Sequence, residues 1–431
     1  MANQLTRANA GDFNRWINRI WPNLLWPNRI WSKWYWRVLL VWAATRAITT
    51  ALFLWAASIQ GENYWNPPHP EYFDFLNIWD VEWYERIYDY GYGQLPGYSS
   101  VLPTDPQGNV QQNAWAFMPL FPALVKLLNW VPQVDWKYAS AITSTVLSFV
   151  LALVMYQVFK LKFDSKVSLW GIALFGLSIA SPTLQTGYAE TLGLLLLACA
   201  LYFLMQHRYW LALPFMAAMS ITRPGMVAFA MMLAGMFVVR WFKARAPGKF
   251  WPDREKFSTR EQLSLIALGL ASGVLGFAWT LLAWWGTGRS DAYLATELAW
   301  RSWIPGGDHL ALVQPWFFAG YLYFGDWGWV VTLGVFGFAA WLLFSQSVVK
   351  LGNELRLWVG SYFLYLILVF YPQSSTFRIL LPAFPLAAAL AYRTRKWMWW
   401  QKGLVVLVEI ILMMIWLSIC WVYVNPDYTP P

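Results

Sequence analysis

The chain is 431 residues long, with 58% hydrophobic and only 12% charged residues. So little polar surface excludes a water-soluble globular protein and indicates a chain surrounded by membrane lipids. The formal net charge of +9 is typical of basic cytoplasmic loops in such a chain, and we expect no nucleic acid as a partner.

Residues 1–37 form a basic, Trp-rich head with no signal peptide ahead of a cleavage site. Within it, Trp16, Trp21, Trp26 and Trp31 recur at a constant interval. Because Trp rings are stable at the headgroup level of a bilayer, we expect this head to be an interfacial anchor on the cytoplasmic side.

Apolar stretches of about 15 to 23 residues follow, near the length that a hydrocarbon core requires. They predict an all-α polytopic membrane protein with about 11 transmembrane helices. The predicted spans are residues 38–58, 138–159, 166–181, 188–206, 209–221, 225–241, 263–285, 327–345, 356–371, 377–392 and 403–425.

The Lys and Arg residues are unevenly distributed between the loops on the two sides of these spans. With the N-terminus inside, most of them fall on the cytoplasmic side, which predicts a cytoplasmic N-terminus and an extracytoplasmic C-terminus. Residues 38–425 then form a single transmembrane domain, followed by an extracytoplasmic tail at 426–431. Two extracytoplasmic loops, 59–137 and 286–326, are long, and long loops on one face usually carry the function.

The first of these loops places carboxylates among aromatic rings. Apolar residues between positions 71 and 92 recur near helical spacing, which predicts a short interfacial helix. Asp80 and Glu82 lie there beside Trp83 and Tyr84. A partly desolvated carboxylate can act as a general base, although a solvated acidic helix face has the same pattern. The Asp-x-Glu spacing is a weak signal for a divalent ion, so we expect neither a metal nor another cofactor.

Other outer segments supply one acid and three cations. Glu190 begins a predicted span, Arg223 lies in a Pro- and Gly-containing turn, Arg301 lies in the second long loop, and Arg378 begins another span. An ionisable residue at such a place is a functional candidate, although an isolated Arg at a helix end is usually an interface anchor. Several converging Arg side chains would bind a phosphate group through paired hydrogen bonds.

Short motifs occur along the chain in a fixed order. They are Trp79-Asp80-x-x-Trp83-Tyr84-x-x-Ile87, Gly91-Tyr92, Ala116-Phe117-Met118-Pro119-Leu120-Phe121-Pro122, Tyr188-x-Glu190-Thr191, Thr222-Arg223-Pro224 and Arg378-Ile379-Leu380-Leu381-Pro382. This ordered set resembles the GPI mannosyltransferase II (PIG-V-like) family and its bacterial relatives, within the GT-C glycosyltransferase superfamily. The resemblance covers residues 38 to about 392, and the stretch from Ala292 to Arg301 is similar less distinctly.

The resemblance implies a GT-C fold and an inverting transfer of mannose from a polyprenyl-phosphate donor. The acceptor would be a hydroxyl of a lipid-linked or cell-envelope glycan or glycolipid on the extracytoplasmic face, in a bacterial plasma membrane. By motif match, Asp80 would be the catalytic base. The candidate substrate-binding residues are Glu82, Trp83, Tyr84, Tyr188, Glu190, Arg223, Arg301 and Arg378.

Two other functions remain open from the sequence. A transporter or flippase for a lipid-linked sugar would use Arg46 and Glu409, which lie inside predicted spans, along its path. A non-catalytic partner of another glycosyltransferase would keep the fold but would not need Asp80.

Overall fold

The structure, a computed structural model, describes residues 33–93, 101–245, 256–302, 307, 309–422 and 429–431. Residues 1–32 of the predicted Trp-rich head and residues 426–428 of the predicted tail lie outside this part. The described chain is helical, apart from one isolated β-bridge between Thr104 and Val110. The predicted all-α class is therefore confirmed for this part.

The described residues form α-helices of very different lengths. In chain order they are α1 Lys33–Ile59, α2 Tyr72–Leu76, α3 Asp80–Tyr90, α4 Leu120–Leu128, α5 Trp136–Lys160, α6 Ser165–Gly176, α7 Glu190–Met205, α8 Tyr209–Ser220, α9 Met226–Arg245, α10 Thr259–Gly276, α11 Ala278–Thr287, α12 Ala292–Ala299, α13 Gln314–Phe324, α14 Gly328–Phe344, α15 Gln346–Val349, α16 Gly352–Val369, α17 Thr376–Ile379, α18 Pro385–Arg393 and α19 Trp399–Cys420. Short 3₁₀ helices are Ala114–Ala116, Ser181–Gln185, Gly325–Trp327 and Leu381–Ala383.

Within the described chain, six helical stretches are long and apolar enough to cross a membrane. They are Trp34–Ile59, Trp136–Lys160, Met226–Arg245, Thr259–Thr287, Gln314–Phe344 and Trp399–Cys420. Helices α7 and α8 are also apolar but shorter. The predicted number of eleven spans is therefore not confirmed.

Pro and Gly residues interrupt the apolar helical stretches at two places. The span predicted at 377–392 is interrupted by a 3₁₀ turn that contains Pro382, and it forms α17 and α18 instead of one helix. The stretch from Gln314 to Phe344 is a hairpin, because Gly325 adopts a φ of +57° and Thr332 of α14 hydrogen-bonds back to the Trp316 carbonyl of α13. Positive φ angles are freely accessible only to glycine.

Arg46, in the middle of α1, stabilises the end of a neighbouring helix. Its guanidinium donates hydrogen bonds to the carbonyls of Gly176, at 2.5 Å, and Ser181, at 2.8 Å, and it lies over the Trp42 ring. Carbonyl groups at a helix C-terminus have no partner within the helix, and a cation there also interacts favourably with the helix dipole. Within the predicted span 166–181, the helix therefore ends at Gly176, and Arg46 hydrogen-bonds to its C-terminal carbonyl group.

Helix α7 lies at the centre of the fold. Almost all of its side chains are buried, and it packs between α5 and α8. Its N-terminus, at Glu190, comes close to the N-terminus of α3 and to the turn after α8. This meeting point of chain segments distant in sequence is where the candidate site lies.

Candidate active site

Helix α3 carries Asp80 as its first residue. The helix forms because Val81, Tyr84 and Ile87 recur on one buried face, and it ends before Gly91 at a φ of +69°. Helical structure predicted between positions 71 and 92 is therefore confirmed, as the two helices α2 and α3 instead of one, while the interfacial position stays a prediction. A negative charge in the first turn interacts favourably with the helix dipole, which suits an ionised carboxylate at this position.

Four charged side chains form a continuous series of ion pairs, here called the ionic chain. Asp80 Oδ2 accepts a hydrogen bond from Arg378 Nη1 at 2.5 Å, and the same nitrogen lies 3.2 Å from Glu190 Oε1. Arg223 Nη1 lies 2.8 Å from that Glu190 oxygen. The ionic chain therefore joins four segments, and two carboxylates balance two guanidinium groups.

Two neighbours hold the arginines of the ionic chain in place. The ring of Tyr188 is fully buried and lies 4.9 Å below the guanidinium carbon of Arg378, which is a cation–π contact. Gly193 lies against the stem of Arg223, where a Cβ would come within 3.1 Å of Cγ. Both contacts reduce the freedom of the guanidinium groups.

The ionic chain lies in the wall of a cavity of about 570 Å³, a volume typical of small-molecule sites. All of the predicted site residues except Tyr188, which lies beneath Arg378, line this cavity. Further lining comes from apolar residues of α7 and α16, among them Leu194, Leu197, Leu366 and Val369. The cavity is therefore charged at one end and apolar along its side.

The other predicted residues of α3 differ in what they contact. Glu82 is engaged by Arg86 at 2.5 Å and by the Trp65 indole at 3.1 Å. Trp83 stacks on Phe117 at 5.9 Å between ring centroids, and the ring of Tyr84 is buried. Asp80 and Glu82 therefore have different partners. In the described chain, no group of three His, Cys, Asp or Glu side chains could hold a metal ion.

Arg301 lines the cavity on the side of α12. Unlike Arg378 and Arg223, it has no carboxylate oxygen within 4.0 Å among the residues that the structure describes. Burial lowers the pKa of its guanidinium, and the carboxylate of Glu297 partly offsets this effect. Its positive charge is therefore balanced less closely than the charges of the ionic chain.

Several cavity-lining residues of the second loop were not predicted from the sequence, among them Tyr293, Glu297 and Trp300. Tyr293 and Glu297 are four residues apart and share one face of α12, while Arg301 lies in the turn just after this helix. This spacing could have drawn attention to Glu297, but it could not have shown that the face meets the ionic chain.

Gly187 fixes the distance between α3 and its neighbours. A Cβ there would lie 2.6 Å from Ser140 Oγ and 2.8 Å from Val81 Cγ1, next to Asp80.

We expect Gly187→Ala to destabilise the fold by about 1–3 kcal/mol, because packing around both residues is tight. Thermal unfolding in detergent, followed by Trp fluorescence, measures this loss. The matched control is Gly334→Ala in α14, which has no heavy atom within 4 Å of the added carbon; equal midpoints for the two variants would refute the expected contact.

Comparisons with known proteins give only distant likeness. No family model matches the chain, and no curated protein matches it. One similar solved structure is the Archaeoglobus fulgidus oligosaccharyltransferase tethered with an acceptor peptide, with 13% identity, a TM-score of 0.43, and coverage of 94% of this chain and 57% of that chain. Another is the archaeal oligosaccharyltransferase AglB from the same organism in complex with an inhibitory peptide and a dolichol-phosphate, with 14% identity, a TM-score of 0.41, and coverage of 93% and 57%. The present chain thus spans little more than half the length of these proteins.

Proposed function

We propose that the protein is an inverting glycosyltransferase that moves mannose from a polyprenyl-phosphate donor to a hydroxyl group of a glycan or glycolipid acceptor. The observation that carries this proposal is the cavity in which a carboxylate, several guanidinium groups and an apolar wall meet. A donor of this class has matching parts, namely a sugar, a phosphate and a long hydrocarbon tail.

The reaction is a direct displacement at the anomeric carbon of the sugar. The acceptor oxygen forms a bond to this carbon, while the bond from the carbon to the phosphate oxygen breaks and its electron pair leaves with the polyprenyl phosphate. Asp80 takes the proton of the acceptor hydroxyl. Its Oδ2 is bonded to Arg378, whereas no hydrogen bond to Oδ1 is found among the described residues. Oδ1 is thus the oxygen that receives the proton.

The leaving phosphate needs positive charge more than it needs a proton. The phosphate would bind Arg301 first, because within the described chain no carboxylate lies close to this guanidinium and no existing ion pair has to be broken. Arg378 and Arg223 follow, since each is already paired with a carboxylate of the ionic chain. Guanidinium groups suit this role because they bind phosphate oxygens in pairs.

The apolar side of the cavity supports a lipid-linked donor. Leu194 and Leu197 of α7 and Leu366 and Val369 of α16 line the same space. These side chains offer hydrocarbon surface to a prenyl chain, which loses free energy when it leaves water. A nucleotide sugar has no part that would use this surface.

The environment of Arg46 argues against the transporter alternative. A translocation path needs charged groups that are open to the substrate, but Arg46 is bonded to two backbone carbonyls at the end of α6. The side chains of the ionic chain instead lie at the N-termini of α3 and α7, in the turn after α8 and on α17. This arrangement supports chemistry at one end of the helices.

The full-length protein in lipid nanodiscs, supplied with radiolabelled polyprenyl-phosphate mannose and a membrane glycolipid extract, tests the proposal. We expect the label to appear in the acceptor fraction, with one polyprenyl phosphate released for each sugar transferred. Donors carrying other sugars test the preference for mannose. If no prenyl-linked sugar is consumed, the protein is not a transferase, and movement of the intact donor across liposome membranes would then favour a flippase.

A further inference from the structure

One face of α12 forms the cavity wall on the side of the second loop. It consists of Tyr293 and Glu297 of α12 together with Arg301 in the turn after the helix, here called the α12 face, and all three residues line the cavity. The spacing of four residues places Tyr293 and Glu297 on the same side of the helix. The α12 face is separate in sequence from every member of the ionic chain.

Glu297 differs from the other acidic residues of the cavity in its partners. Asp80 and Glu190 are paired with arginines, and Glu82 is engaged by Arg86 and Trp65. Among the described residues, by contrast, Glu297 has no cation within 4.0 Å, and its nearest electrostatic neighbours are Arg301, Arg223 and Tyr293. An ionised carboxylate has about four acceptor positions. Most of the hydrogen-bonding capacity of Glu297 is therefore left for a molecule in the cavity.

An aromatic patch lies beside the α12 face. Trp300 contacts Trp83 and Phe117 edge to face, each at 5.7 Å between ring centroids, and all three rings line the cavity. Such rings provide rigid apolar surface, while a neighbouring carboxylate accepts hydrogen bonds. A sugar ring has an apolar C–H face with hydroxyl donors at its edge, so it can use both features together.

We propose that Glu297 is an acceptor-binding residue, whose carboxylate holds a hydroxyl of the acceptor sugar other than the one that reacts, while Trp300 packs against the ring. The inference rests on the proposed transferase function and deepens it. Glu297 would thereby orient the acceptor so that its reacting hydroxyl points to Asp80 across the cavity. Glu297 itself takes no proton from the reacting oxygen.

The charge of Glu297 depends on groups from several elements. Tyr293 and Arg301 face it from its own segment, Arg223 from the turn after α8, Tyr365 from α16 and Asp80 from α3. Burial is the largest influence and raises the pKa of the Glu297 carboxyl to about 7, although the two arginines lower it.

A raised pKa means that Glu297 is ionised above neutrality and becomes protonated as the pH falls. The ionised form is the stronger hydrogen-bond acceptor. The acceptor KM should therefore be lowest at about pH 8 and should rise towards about pH 6, while the donor KM does not follow this titration.

Kinetics of Glu297→Gln with octyl mannoside and its monodeoxy analogues test the assignment. In the wild type, removal of one particular hydroxyl should raise the acceptor KM roughly tenfold, as expected for a hydrogen bond to a charged group. In the Glu297→Gln variant, the KM for the parent sugar should be raised by a similar factor. Removing that particular hydroxyl should not raise the acceptor KM any further. The acceptor KM should also be independent of pH between about pH 6 and about pH 8. The donor KM of this variant should stay near the wild-type value.

Glu85→Gln is the matched control. Burial also raises the pKa of Glu85, but this carboxylate is bonded to Asn77 and does not line the cavity. We expect this variant to keep the wild-type dependence of KM on pH and on the deoxy sugars.

Two results would overturn the inference while the transferase proposal stands. One is a Glu297→Gln variant whose acceptor KM depends on pH, and rises with the deoxy sugars, as it does in the wild type. The other is a wild-type protein that releases polyprenyl phosphate with the membrane extract but uses no alkyl glycoside. A wild-type protein that consumes no donor under either condition would refute both proposals.

Discussion

Replacing Asp80 with asparagine should lower the kcat of sugar transfer by about 10²–10⁴-fold, the usual contribution of a positioned general base. The amide has nearly the same shape, and its oxygen can still accept the hydrogen bond that Arg378 donates. It cannot take the proton of the attacking hydroxyl. The donor and acceptor KM values should therefore change little. Transfer of radiolabelled sugar in nanodiscs, with the enzyme in excess over the donor, measures the chemical step.

Asp89→Asn is the control for this experiment, because Asp89 lies on the same helix but is exposed and away from the cavity. It should transfer sugar like the wild type. If Asp80→Asn is as active as Asp89→Asn, Asp80 is not the base. If transfer is absent from the wild type as well, the result favours a non-catalytic partner of another glycosyltransferase, because that role does not need Asp80.

Replacing Arg378 with glutamine should cause the largest loss of stability. Arg378 is the cation between Asp80 and Glu190, and only about 4% of the Glu190 side chain is exposed. Removing one partner of a buried ion pair typically costs about 3–5 kcal/mol, because an uncompensated charge stays behind. Chemical or thermal unfolding in detergent micelles, compared with the wild type, measures the loss.

A double variant identifies the cause of that loss. Glu190→Gln combined with Arg378→Gln removes one carboxylate together with its cation, so the total loss should be smaller than the sum of the single losses by about 0.5–3 kcal/mol. Arg289→Gln breaks an exposed pair with Asp291 and should cost no more than about 1 kcal/mol. Strictly additive losses at Glu190 and Arg378 would show that the two residues do not act as a pair.

Local rules account for the features that the sequence determined by itself. The all-helical class follows from long apolar stretches, since backbone groups in lipid must bond within their own helix. Helix α3 follows from the spacing of Val81, Tyr84 and Ile87. The pair between Glu82 and Arg86 also obeys a local rule, because residues four apart on a helix are neighbours.

The local sequence did not determine where the helices are interrupted. The stretches around Gly176 and Pro382 are apolar enough to be predicted as parts of spans, but each helix is interrupted there. In the first, the carbonyls at the end of α6 are bonded by Arg46, a residue far away in sequence. Such an interruption is stable only where a distant side chain supplies the missing hydrogen bonds, which hydropathy cannot detect.

The composition of the site was decided by the tertiary structure alone. Asp80 and Arg378 are 298 residues apart in the chain, and no local pattern relates them. Sequence motifs identified both residues, but only the tertiary structure shows that they neutralise each other where the N-termini of α3 and α7 meet α17, and that Arg301 has no such carboxylate in the described chain. Glu297 reaches the cavity on a different element, α12, which packs against the 3₁₀ helix Ala114–Ala116. The physical reason is that the energy of a charge depends on its nearest counter-charges and on its burial, and both are set by residues distant in sequence.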